Sequence, residues 1–267
     1  MERLQQPRTI PQQRIAEKLD EHMSRRDYAG AERHLLYWLT EAKAIHDMRG
    51  ELMVSNELVG HFRKTGNREQ AFMHAAHALE LLEKTGFEGT ISAGTTYTNV
   101  ATAYNAFGRD EESLDLFRKA AQVYEASPHT APHLLGGLYN NMALTCISLG
   151  RFDEADAYYR KALQKMEQVE NGELERAITY LNMADAAVAK ATAQGGVNPL
   201  ESGDEACERE VERCLDTALD LLNTKGIPHD GYYAFVCEKC APVFAHYGYF
   251  LADDDLRNRA EAIYERA

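Results

Sequence analysis

Cys237 and Cys240 stand three apart, in the order Cys-Glu-Lys-Cys. A CxxC pair can give two thiolates to a zinc ion or form a dithiol redox couple. Cys207 and Cys214 could complete a set of four thiolates, but seven residues along a helix is too wide for a tight knuckle. Two histidine pairs also have helical metal-binding spacings, His74 with His77 and His129 with His133. The second pair sits in SPHTAPH, whose two prolines mark a loop. His74 and His77 lie off the apolar stripe of their own segment and are expected on a solvated face. The glycine pairs Gly136-Gly137 and Gly195-Gly196 are read as parts of linking segments, with no Lys-Ser/Thr after them. No P-loop, nucleophile elbow or GxGxxG is present. The expectation is no catalytic residue, no cofactor and no enzyme activity. The metal candidates reduce to Cys237 and Cys240.

These residues must be positioned by something, and the chain shows what by repeating itself. FRKAAQVYE begins at Phe117 and YRKALQKME at Tyr159, 42 residues later, and Gly108 and Gly150 have the same separation. Such a period signals an array of like units. Aligned on glycine, the segments read LVGHFRKTGNREQAFMHAAHAL from Leu58, VATAYNAFGRDEESLDLFRKAA from Val100 and MALTCISLGRFDEADAYYRKAL from Met142. Leu58 and Phe62, like Val100 and Tyr104, share a helix face at i, i+4. Gly66, Gly108 and Gly150 suit the left-handed turn that ends a helix. Asp110 and Asp153 fall early in the next helix, where carboxylates favour the dipole. That helix carries Ala71/Ala75/Ala78, Ser113/Phe117/Ala120 and Ala155/Tyr159/Ala162. Small residues there let paired helices approach closely. Each unit is thus a helical hairpin.

The order of apolar pair, aromatic, Gly, Ala, aromatic and Ala resembles the tetratricopeptide repeat family. The usual period is about 34 residues. The eight further residues here add about two helical turns, as in the long repeats of kinesin light chains and bacterial peptide-pheromone receptors. The resemblance implies an all-α fold, a right-handed superhelical solenoid of antiparallel helix pairs. About six pairs are expected, because degenerate copies extend the array both ways. IAEKLDEHMSRRDYAGAERHLLYWL lies upstream without a turn glycine, and TYLNMADAAVA matches LYNNMALTCIS downstream. The expected organisation is an N-terminal tail over 1–11 and a single solenoid over 12–267. Within it lie an inserted loop at about 193–205 and a degenerate capping pair at about 230–267. In this frame Cys237 and Cys240 take the places of Tyr97/Val100 and Tyr139/Met142. Those are core positions, where cysteine packs as a small hydrophobe.

Formal net charge is −13, which opposes a phosphate backbone and makes nucleic acid a poor partner. No apolar run approaches the roughly 18 residues of a membrane span, so no membrane association is expected. The polar start, MERLQQPRTIPQQR, has no apolar signal region. Five cysteines do not form a disulfide framework. A cytoplasmic location is the expectation.

The resemblance implies that the first helix of each pair lines a concave groove that holds a protein or peptide segment. One position before the apolar pair stand Asn99, Asn141 and Asn182, spaced 42 and 41 residues apart. An amide side chain both donates and accepts, which suits the backbone of an extended peptide. It could equally bond to the neighbouring helix. The second repeat breaks this ladder with Glu57, beside Asn56. Further groove-facing candidates are Arg63, Thr98, Thr102, Asn105, Asn140, Leu144, Asp185 and Val188. The function implied is a non-catalytic peptide-binding module. The alternatives are a self-associating scaffold, as a homo-oligomer, and a thiol or zinc site at Cys237/Cys240.

Overall fold

A computed structural model describes residues 8–266. Part of the expected tail, residues 1–7, lies outside them, as does Ala267. The described residues are helical and contain no strand. They divide into two compact units, one ending at Pro128 and one beginning at His129. The first holds α1 (Gln12–Ser24), α2 (Tyr28–Ala44), α3 (Met48–Lys64), α4 (Arg68–Thr85), α5 (Ile91–Ala106) and α6 (Asp110–Ala126). The second holds α7 (Pro132–Ser148), α8 (Phe152–Met166), α9 (Glu173–Gly195), α10 (Pro199–Ser202), α11 (Glu205–Leu222), α12 (Gly231–His246) and α13 (Phe250–Tyr264). With the short α10 set aside, the helices fall into consecutive pairs: α1/α2, α3/α4, α5/α6, α7/α8, α9/α11 and α12/α13. The all-α fold of paired helices is the one that the repeat pattern implies.

The turn chemistry operates as the sequence dictates. Gly66, Gly108 and Gly150 take φ of 75°, 77° and 70°. The degenerate upstream copy keeps the same left-handed turn without glycine at Arg26 (φ 54°), and the connection from α2 to α3 takes it at His46 (φ 56°). A capping side chain follows three of these turns. Asp27 accepts from the Gly30 N–H, Asp47 from Gly50 and Asn67 from Gln70. Asp47 also accepts from the Ile10 backbone N–H at 2.9 Å, which ties the start of the described chain to the start of α3.

Burial follows the small-residue stripe. Ala71, Ala75, Ala78, Ala120, Ala155, Tyr159 and Ala162 are fully enclosed. Ser113, which stands where the other repeats have alanine, donates its hydroxyl to the Ala101 carbonyl of the paired helix at 2.7 Å. A buried polar group is tolerated there because it has a partner.

Three local expectations are corrected. His74 is buried rather than solvated, stacked 5.5 Å from the Phe62 ring. Gly136 and Gly137 lie inside α7, not in a linking segment, and Gly136 packs against Met166 so closely that a Cβ would meet its side chain. SPHTAPH is a loop only up to Ala131, because Pro132 opens α7 and places His133 in its first turn. In the stretch 193–205, α9 runs to Gly195, Gly196 turns with φ 72°, and α10 buries Pro199 before Asp204 caps α11.

Candidate functional site

Cys237 and Cys240 face the core of α12, at 0% and 1% exposure. Burial pushes both thiols up, that of Cys240 to about 12. A thiol is nucleophilic or metal-binding only as its thiolate, and this environment opposes ionisation. Cys214 is raised to about 12 for the same reason. Among the described residues no group of three or more His, Cys, Asp or Glu side chains could hold a metal ion. His77 is engaged elsewhere, with its Nε2 at 2.6 Å from Glu51 Oε1.

In the first unit, α3 and α5 run side by side and frame an open cavity of about 420 Å³. Both Asn56 and Asn99 line it. Asn56 is buried and donates its amide to the Thr96 hydroxyl at 2.8 Å, which ties α3 to α5. Its Oδ1 is enclosed and has no hydrogen-bond partner. An unpaired buried acceptor costs about 1–3 kcal/mol. Glu57, Arg49, Phe87 and Thr95 share the cavity. Arg49 holds its guanidinium 4.9 Å from the centre of the Phe87 ring. Burial, and then the charge of Asp20, push the Glu57 carboxyl above the usual range.

The other first-unit candidates are placed differently. Thr98 and Thr102 are half-buried and return their hydroxyls to the carbonyls of Gly94 and Thr98, both at 2.8 Å. Asn105 donates to Asp110 Oδ1 at 2.7 Å and braces the turn between α5 and α6. Arg63 is exposed near the end of α3.

In the second unit, Asn182 on α9 donates to Asn140 Oδ1 on α7 at 3.2 Å. Asn141 and Leu144 are half-buried on α7. Asp185 accepts from the Tyr247 hydroxyl at 2.8 Å, which links α9 to α12. Tyr247 was not among the sequence candidates, since its repeat is the least regular. Arg49 was not a sequence candidate, and Glu57 was read only as the break in the ladder. Glu57 stands 42 residues before Asn99, in register with the ladder but of different chemistry. Phe87 belongs to the linker between repeats, where no periodicity operates.

The family profile described as Tetratricopeptide repeat matches residues 51–126 and 134–191, half of the chain. The chain belongs to the tetratricopeptide repeat family. Among solved structures, this tetratricopeptide repeat protein is similar to a variant of the nearly identical TPR-like repeats of a Podosopora anserina protein named for the kinesin light chain. The TM-score is 0.53 at 16% identity, over 83% of this chain and 97% of that one. It is also similar to a Rap protein complexed with Competence and Sporulation Factor, with a TM-score of 0.55 at 14% identity over 94% of this chain and 63% of that one. At these identities the likeness is one of fold. No curated protein sequence matches the chain. Among the described residues no helix is long and apolar enough to cross a membrane.

Proposed function

We propose that this tetratricopeptide repeat protein is a non-catalytic module that holds an extended peptide or protein segment against the first helices of its pairs. One observation carries the reading: Asn56 on α3 and Asn99 on α5, the first helices of successive pairs, line the same open cavity. The backbone of an extended segment supplies N–H and C=O groups in alternation, the complement of two amide side chains. The Rap protein of similar fold is complexed with Competence and Sporulation Factor, which is in keeping with a held ligand. Five buried thiols, none in a disulfide, agree with a reducing, cytoplasmic setting.

The test is a quantitative pull-down from source-cell lysate with the wild type and an Asn99→Ala, Asn141→Ala double variant, both checked for helicity by circular dichroism. A partner bound by the wild type and lost in the double variant is the expected result. Equal retention of every partner would remove the asparagines from the binding surface. Self-association is a second reading, favoured by Phe250 and Leu251, which are 66% and 87% exposed at the start of α13. Recovery of the protein itself as sole partner, with a dimer in sedimentation, would favour it.

A further inference from the structure

The cavity between α3 and α5 is chemically uneven along its length, and the unevenness names a ligand group. Arg49 and Glu57 are eight residues apart on α3, roughly 12 Å along the helix axis. Arg49 is occupied at one end, over the Phe87 ring, and no ion pair joins it to Glu57 among the described residues. The Glu57 end therefore keeps its own sign. There Glu57 is half-buried beside Asn56. The field of Asp20, from α1, adds further negative charge at Glu57. Asn56 is 8% exposed, and its Oδ1 is an acceptor without a donor. Its amide nitrogen donates one of its two N–H groups to the Thr96 hydroxyl. A half-buried carboxylate in an open cavity, with no ion-pair partner among the described residues, suits a group that carries positive charge and donates hydrogen bonds.

We propose that the Glu57 end of this cavity is a subsite for a basic side chain, the lysine ammonium or arginine guanidinium of the held segment. The subsite rests on the peptide-binding reading and sharpens it. Asn99 meets the backbone, while Glu57, its counterpart one repeat earlier, reads a side chain. A cation there offsets the burial of the Glu57 carboxylate. Lys and Arg are the side chains that supply three or more N–H donors with a positive charge. The net charge of −13 further favours the approach of a basic segment.

The full chain would be panned against a random dodecapeptide display library, in parallel with its Glu57→Gln variant. The best wild-type binder would then be measured by calorimetry against the same peptide with its basic residue replaced by norleucine. The expected result is one position strongly enriched in Lys or Arg for the wild type. The norleucine replacement weakens binding about tenfold or more, and in Glu57→Gln this difference falls to about twofold or less. Enriched peptides without a basic position would overturn the subsite and leave peptide binding standing. A basic position whose cost is equal in wild type and Glu57→Gln would also overturn it, by placing the cation elsewhere. Failure of the wild type to enrich any peptide would overturn the peptide-binding reading and the subsite with it. The wild-type enrichment alone decides the first of these outcomes, so the proposal stays falsifiable even if the variant does not fold.

Discussion

Asn182 donates its side-chain amide to Asn140 Oδ1 at 3.2 Å, across 42 residues of sequence. The ladder that suggests ligand contact therefore contains at least one rung that ties two helices of the second unit together. The bond is part-buried, so removing it leaves an amide oxygen without its donor. We expect Asn182→Ala to cost about 1 kcal/mol of stability, whereas Asn99→Ala, at the open cavity, changes stability by less than about 0.5 kcal/mol. Urea denaturation of both variants checks this. A larger loss for Asn99→Ala would reverse the assignment of roles.

The left-handed turns offer a backbone test. His46 takes φ 56° with its side chain exposed, so glycine relieves the strain without loss of packing. His46→Gly should stabilise the chain by roughly 0.5–1 kcal/mol, the steric relief less the entropy that glycine adds to the unfolded state. Conversely, Gly66 at φ 75° has open space around it, and Gly66→Ala should destabilise by about 1 kcal/mol through the backbone alone. Melting temperatures shifted in opposite directions are the expected readout; a fall in both would mean that His46 makes a contact worth more than its strain.

His74 supplies the pH dependence. Burial first, then the neighbouring His77 and Lys43 charges, lower it from 6.5 to about 4. Because the folded value lies below the unfolded one, the unfolded chain binds the proton that the folded chain refuses. This contribution is fully present above pH 6.5. It is lost as pH falls toward 4, at up to about 1.4 kcal/mol per pH unit. His74→Phe, which keeps an aromatic ring against Phe62, should flatten stability between pH 6.5 and 4 and leave the slope above pH 7 unchanged. An unaltered slope below pH 6.5 would assign the acid sensitivity to other groups.

The thiols give a kinetic prediction. All five cysteines are buried, so a thiol reagent should label none of them rapidly in the native chain and all five in denaturant. Fast labelling of Cys237 or Cys240 under native conditions would show that the end of the second unit opens locally.

The hairpin and its turns were legible in the sequence because the interactions that build them are local. A glycine or a capping Asp acts within four residues of its own position, and the Ala71/Ala75/Ala78 stripe needs only the helical period to be recognised. His74 was misread because its face is enclosed by Phe62 of the preceding helix, and a single-helix projection carries no partner. The chemistry of Asn56 and Asn182 was equally out of reach. An asparagine in register with others has the same sequence signature whether it meets a ligand or the next helix.

Sequence alone thus determined the family, the pairing of helices and the core role of Cys237 and Cys240, since periodicity records which face of a helix must be buried. Tertiary structure decided which polar groups are already satisfied. It closed Asn182 onto Asn140, Asn105 onto Asp110 and Asp185 onto Tyr247. It left Asn56 Oδ1 without a partner, in a cavity shared with Glu57 and Asn99. Apart from the Asn105 contact, which spans five residues, these bonds join residues forty or more apart in the chain, and only the packed helices set those distances.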